Sequence, residues 1–325
     1  MYSKLLKTFI LLLIISVFLV ACGGNNTPEP AQSTPANAPE STTETSESPE
    51  VEETSTESSG IDRSEWPEKV RFAVDGIDGL EELQRRYDVF QEVITDLMGV
   101  EFELFPLANR TVVVTAMEFD QIDVGLIGPA EYVQMKGAVP GIDISAALQR
   151  DKYHAAFIVP EDSDLQTLDD LKGKKLSLKE VGSGSGHIAP ASMLIEAGFD
   201  LDRDLEINFL GAAAIEALRS GEVDAMADGI RVYDKMLEED GEGVWRLLLE
   251  GPPLPQDPFV VGPKLPESFK NEFKRVLIEH QDEILAAILM SEENAKFINA
   301  EIITITDSGF DLMRETYAIL GIELN

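Results

Sequence analysis

From Val70 to Ala227 the chain alternates between a two-residue and a helical hydrophobic period, and this alternation restricts the fold more than any other feature. Val70, Phe72 and Val74 alternate as a strand; Tyr87, Phe90, Val93, Ile94 and Leu97 fall at helical spacing; Phe102 and Leu104 resume a strand before Pro106. A helix around Val112 to Phe119, a buried strand Ile122 to Ile127 and a helix opened by Gly128 and Pro129 continue the series. This order predicts an α/β fold with a mainly parallel sheet flanked by helices, and ligands bound beyond the carboxyl ends of its strands.

After Tyr153 the series restarts. Strands are expected at 155–159, 176–181, 207–210 and 223–227, with helices at 168–171, 188–197 and 214–219. Two sheets in succession imply two lobes, and the roughly 260 residues after Trp66 suit two globular units. In the tail, Phe273, Val276, Leu277, Ile284 and Ile288 form one stripe of a packing helix.

The N-terminus reads as an address. Lys4 and Lys7 precede an apolar run from Phe9 to Val20, the order of a secretory signal peptide over residues 1–21. The run is short for a retained membrane span, which needs about 20 apolar residues. Leu19-Val20-Ala21-Cys22-Gly23 matches the lipobox of bacterial prolipoproteins, so Cys22 is the expected lipidation site and mature N-terminus. It is the only cysteine, which excludes an intramolecular disulfide. Residues 22–65 are rich in Ser, Thr, Pro and Glu with almost no large apolar side chains, and read as a disordered acidic tether. The net charge of −34 argues against nucleic acid or an anionic lipid surface as partner. A small anion inside a cleft remains compatible, because exposed charges are screened beyond roughly 8 to 10 Å.

The most informative local feature is the loop Glu180-Val181-Gly182-Ser183-Gly184-Ser185-Gly186-His187, set between a strand and a helix. Glycines let several N–H groups converge, hydroxyls add donors, and a helix N-terminus carries partial positive charge, which together suit an anion. A tight Gly-rich turn with serine capping the helix is the plainer reading of the same residues. The Walker lysine, the nucleophilic serine of a hydrolase elbow and the full dinucleotide fingerprint are all missing. Of three histidines, His154, His187 and His280, none has metal-site spacing; His280 reads as structural and His187 as a candidate donor. The pairs Asp75/Asp78 and Asp169/Asp170 read as solvated surface. No cofactor is implied. A hydrolase using His187 or His154 is the competing enzyme class, without a recognisable nucleophile, base and orienting carboxylate.

From Val70 to about Leu265 the chain resembles the phosphonate, phosphite and phosphate-binding proteins of ABC importers, a branch of the type II periplasmic binding proteins. The segments that carry this are QIDVGLIGPAEY (121–132), YHAAFIVPEDS (153–163), LDDLKGK (168–174), the Gly/Ser loop with Pro190, SGEVD (220–224) and PLPQDP (253–258). The resemblance implies a two-lobed fold with the ligand cleft between lobes: residues 66–154 in lobe 1, 155–258 in lobe 2, and 259–325 returning to lobe 1. It points to the turn Ser183, Gly184, Ser185, Gly186 and His187 as anion donors, Tyr153 as a phenolic donor, and Asp257 as an acceptor that favours a protonated P–OH. Two departures add Arg110, where the family usually has tyrosine, and Arg231, near the organic end of the ligand. Either arginine reads equally as a surface salt bridge, and Gly211 to Ala214 lacks the usual histidine. The implied protein is no enzyme but a monomeric, lipid-anchored, extracytoplasmic capture component with an ABC permease and ATPase as partners. A ligand-sensing lipoprotein, or a binder of another anion such as a sulfonate or carboxylate, shares these features.

Overall fold

The computed structural model describes residues 60–324 apart from 77 and 78, so the expected signal peptide, Cys22 and most of the tether lie outside the described residues. In chain order the elements are β1 (Lys69–Val74), α1 (Leu80–Met98), β2 (Glu101–Leu104), α2 (Val112–Glu118), β3 (Val124–Leu126), α3 (Pro129–Ala138) and β4 (Asp143–Gln149). Then come β5 (His154–Pro160), β6 (Lys174–Leu178), α4 (Ala189–Glu196), β7 (Leu205–Phe209), α5 (Ala214–Ser220), β8 (Ala225–Gly229), α6 (Ile230–Asp240) and β9 (Trp245–Pro253). The chain closes with β10 (Asp257–Val261), α7 (Glu267–Glu279), α8 (Gln281–Ile288), β11 (Glu301–Ile303) and α9 (Asp311–Ile319).

These strands form a six-stranded sheet, ordered β11-β4-β10-β3-β1-β2, and a five-stranded sheet, ordered β7-β6-β8-β5-β9. Both are mixed, where the sequence pattern predicts mainly parallel pairing. Strands separated by a helix pair in parallel, as β1 does with β2 and β3, and β6 with β7 and β8. Strands β4, β5, β9, β10 and β11, on which the chain crosses or returns, pair antiparallel. Four of these, β4, β9, β10 and β11, escape the sequence pattern because their apolar residues run together without a clean alternation.

Period-two strands sort their side chains to opposite faces. In the first sheet Phe72 and Phe259 pack with Phe90 of α1 and Phe273 of α7, while Ala73 faces the other cluster, with Tyr132 of α3, Tyr317 of α9 and Phe310. In the second, Phe157 and Leu178 face one cluster and Ala156 and Met226 the other. Each such large side chain contributes about 1.5–3 kcal/mol through burial. Helix α1 shows the local logic: Leu83, Tyr87, Phe90, Ile94 and Met98 recur on one face, and the helix stops at Gly99, whose φ of 63° lets its N–H return to Thr95 O at 2.8 Å. The single amphipathic helix expected in the tail is two helices, broken at His280 (φ −110°, ψ 25°). The break re-aims α8 so that Ile284 and Ile288 join the core against α1.

The chain passes between the sheets twice, at residues 150–153 and 254–256. The two crossings are tied together: Leu254 N donates to Tyr153 O at 2.8 Å, and Arg150 N to Gln256 Oε1 at 2.8 Å. Asp257 therefore opens a strand of the first sheet. Everything that resembles a ligand site lies around these crossings.

Candidate ligand-binding site

The Gly/Ser loop becomes a single wide turn of π-helix, Gly184–Ile188, leading into α4. Ser183 stands at its N-cap, buried, with Oγ accepting from Gly186 N at 3.3 Å and its carbonyl accepting from His187 N and Ile188 N, both at 2.9 Å. The first N–H groups of such a turn have no acceptor within it, which leaves them available to a partner from outside the turn. Gly182 takes φ +93°, and a Cβ on Gly184 would stand 2.8 Å from the Tyr153 hydroxyl, so the loop and the first crossing touch. His187 faces back into its own lobe. Its Nδ1 accepts from Gly182 N at 3.1 Å, its ring meets Phe209 edge-on at 5.1 Å, and burial lowers its pKa, keeping the ring neutral. It fastens the loop.

Tyr153 is buried, and the Arg150 guanidinium stacks on its ring at 3.3 Å. Arg150 Nη2 donates to Asp257 Oδ1 at 2.6 Å, while Lys296 Nζ stands 3.8 Å from Asp257 Oδ2. Burial drives the Tyr153 hydroxyl's pKa up, so it stays a donor, and burial pulls Lys296 down to about 8 against the opposing pull of Asp257. Asp257, a candidate acceptor from sequence, thus has a cation at each of its oxygens.

Arg110, just ahead of α2, is enclosed by acids. Its Nη1 donates to Asp75 Oδ2 at 2.8 Å and Glu131 Oε1 at 3.2 Å, and its Nη2 to Glu180 Oε1 at 3.2 Å on the opposite lobe. Asp75 ends β1, buried, and also accepts from Gly128 N at 2.8 Å. This corrects the reading of Asp75 as solvated surface: the carboxyl end of a central strand points into the crevice; Asp78 lies outside the described residues. Burial raises both carboxyls, but Arg110, Lys296 and the Gly128 N–H hold Asp75 low, whereas Asp75 itself reinforces the rise at Glu131.

Tyr153, the Gly/Ser turn, Arg110 and Asp257 are brought together here, with Asp75, Glu131, Arg150, Glu180 and Lys296 added. Arg231 lies apart. Its guanidinium reaches Asp151 Oδ1 at 3.0 Å and the carbonyls of Ala295 at 3.1 Å and Ile298 at 3.4 Å, tying α6 to the segment after α8. Four buried polar atoms around the cleft have no hydrogen-bond partner among the described residues: Arg110 Nε, Arg150 Nε, Glu131 Oε2 and Tyr87 Oη. Sequence reasoning passed over Arg150 and Lys296 because neither stands in a motif; Arg150 offered one signal, its place three residues before Tyr153 at the lobe crossing. Among the described residues no group of three or more His, Cys, Asp and Glu side chains is arranged to hold a metal ion, and no helix is long and apolar enough to cross a membrane.

A probable phosphite-binding protein of an ABC transporter from Prochlorococcus marinus is 25% identical over 170 residues, covering 49% of this chain and 57% of that protein. A phosphate-import protein from Mycolicibacterium smegmatis is 24% identical over 194 residues, covering 54% of this chain and 60% of the relative. The chain therefore spans somewhat more than half the length of these curated relatives. In fold it matches the Prochlorococcus marinus protein solved with methylphosphonate, with a TM-score of 0.64 and 20% identity over 78% of this chain and 99% of the other. The family model described as "ABC transporter, phosphonate, periplasmic substrate-binding protein" matches residues 79–302. With well over half of its length under that match, and the sheets, crossings and Gly/Ser turn in place, the chain belongs to the phosphonate ABC transporter periplasmic substrate-binding family.

Proposed function

We propose that this protein is the extracytoplasmic capture component of an ABC importer, binding a small tetrahedral phosphorus oxyanion between its lobes and delivering it to a permease and ATPase. The observation that carries the reading is the Gly184–Ile188 turn, which follows Ser183 at its N-cap and lies directly against the Tyr153 hydroxyl at the crossing. Arg110 Nε and Arg150 Nε supply further unpartnered donors. Hydrogen bonds to a charged ligand contribute about 1.5–3 kcal/mol each, so four or five support micromolar or tighter binding after the costs of closure. Capture needs no covalent step. Cys22 carries the lipid that holds a monomer at the membrane behind the acidic tether, and Cys22→Ala is expected to move the protein to the soluble fraction.

The test is a thermal-shift screen of the purified chain with phosphate, phosphite, methylphosphonate, sulfate and taurine. A ligand at about 100 times its Kd stabilises by about 2.7 kcal/mol. At least one phosphorus oxyanion should raise the melting temperature, and Ser183→Ala should abolish the shift. A screen in which only a sulfonate acts, or in which Ser183→Ala shifts as the wild type does, rules the reading out.

A further inference from the structure

The charged groups of the cleft are divided unevenly. At one end Arg110 faces Asp75, Glu131 and Glu180, a surplus of acid. At the other, a single carboxylate, Asp257, stands between Arg150 and Lys296. Asp75 also faces Lys296, yet neither cation has its hydrogen-bonding capacity filled. Arg150 leaves its buried Nε without partner, and Lys296 stands 3.8 Å from Asp257, beyond hydrogen-bond reach. Unfilled cationic donors in a chain of net charge −34 are not a general attraction for anions; they are local and built from the crossing and the turn after α8, on either side of Asp257 in β10. Tyr153 joins this corner to the Gly/Ser turn, its ring beneath Arg150 and its hydroxyl against Gly184.

We propose that the ligand is a phosphorus oxyanion that also bears a carboxylate, its phosphorus group on the Gly/Ser turn and its carboxylate at Lys296 and the Arg150 Nε. This rests on the anion-capture reading above and names its substrate class. A carboxylate there meets a mobile ammonium and a fixed N–H, and gives the Arg150 Nε and the Lys296 ammonium the acceptor that Asp257 does not supply to them. An ammonium group in the same place faces Lys296 and Arg150 as a like charge.

Calorimetric titration of the full-length chain in detergent at neutral pH, with methylphosphonate, 2-aminoethylphosphonate, phosphonoacetate and 3-phosphonopropionate, decides the matter. One of the two phosphonocarboxylates should bind at least about tenfold tighter than methylphosphonate, the worth of one charge-assisted hydrogen bond, and aminoethylphosphonate more weakly than methylphosphonate. Lys296→Met should bring the ratio between phosphonocarboxylate and methylphosphonate near unity, and Lys296→Arg should keep most of it. Should Lys296→Met fail to fold, the wild-type ranking alone decides. Methylphosphonate binding as tightly as both phosphonocarboxylates, or a ratio that survives Lys296→Met, overturns the carboxylate assignment while leaving anion capture intact. Absence of binding by all four probes overturns both.

Discussion

The Arg110 cluster places two carboxyl groups against one guanidinium in a site closed to water, and they cannot both ionise. Burial and the neighbouring Asp75 raise the Glu131 carboxyl, favouring its neutral form, so the neutral Glu131→Gln is expected to change stability by less than about 1 kcal/mol. Asp75→Asn removes the charge that balances Arg110 and is expected to cost about 3–5 kcal/mol. Urea unfolding of the two variants checks the contrast, and equal costs would refute the unequal roles of the two carboxyls. Lys296 has the opposite character. Burial lowers its pKa from 10.5 to about 8, so between those values the unfolded chain holds a proton that the folded chain has released. Stability contributed by this residue therefore rises as pH climbs from about 8 toward 10.5, and is lowest below that window. Melting temperatures across that range should rise more for the wild type than for Lys296→Met.

At the scale of elements, the turn before α4 is shaped by what it must approach. Gly184 has no room for a side chain beside Tyr153: a Cβ at this position would lie only 2.8 Å from the hydroxyl and 3.9 Å from the ring carbon that bears it. Gly184→Ala should push the turn away from the crossing, costing about 1–3 kcal/mol by overpacking and weakening anion binding at least severalfold. Tyr153→Phe, added to it, removes the clashing oxygen and should restore much of the stability but not the affinity. Thermal melts and titration of the double variant separate the two effects. The motif that marks this loop in the sequence is thus a packing requirement as well as a donor set.

Over the whole molecule, two sets of contacts tie the lobes beyond the crossings. Glu180 reaches Arg110 at 3.2 Å, and Arg231 reaches Asp151, Ala295 O and Ile298 O between 3.0 and 3.4 Å. Arg231 serves lobe contact, which is why it stands away from the Gly/Ser turn. Its Nε is buried without a partner, so the contact is an incomplete one that opening can release. Arg231→Met should shift the ligand-free protein toward open forms, raising the radius of gyration in X-ray scattering and weakening apparent affinity by the fraction of closed form lost. An unchanged scattering profile would show that these bonds do not govern closure.

By itself the sequence determined the α/β alternation, the two successive sheets and the Gly/Ser turn, because each is written in local terms: hydrophobic period, glycine, and capping hydroxyls within a few residues. It also carried the family through short contiguous segments. The tertiary structure decided the antiparallel strands β4, β9, β10 and β11, since pairing direction depends on which distant strand lies alongside. It decided the break at His280 as well, where packing of α8 on α1 overrides a continuous apolar stripe. Most of the charged site is of this second kind. Asp75, Arg110, Glu131, Arg150, Asp257 and Lys296 are scattered over more than two hundred residues of chain and look like ordinary surface charges in an acidic protein. Only folding draws them out of water, Lys296 in part and the others almost wholly, and burial is what turns such charges into partners that must be matched.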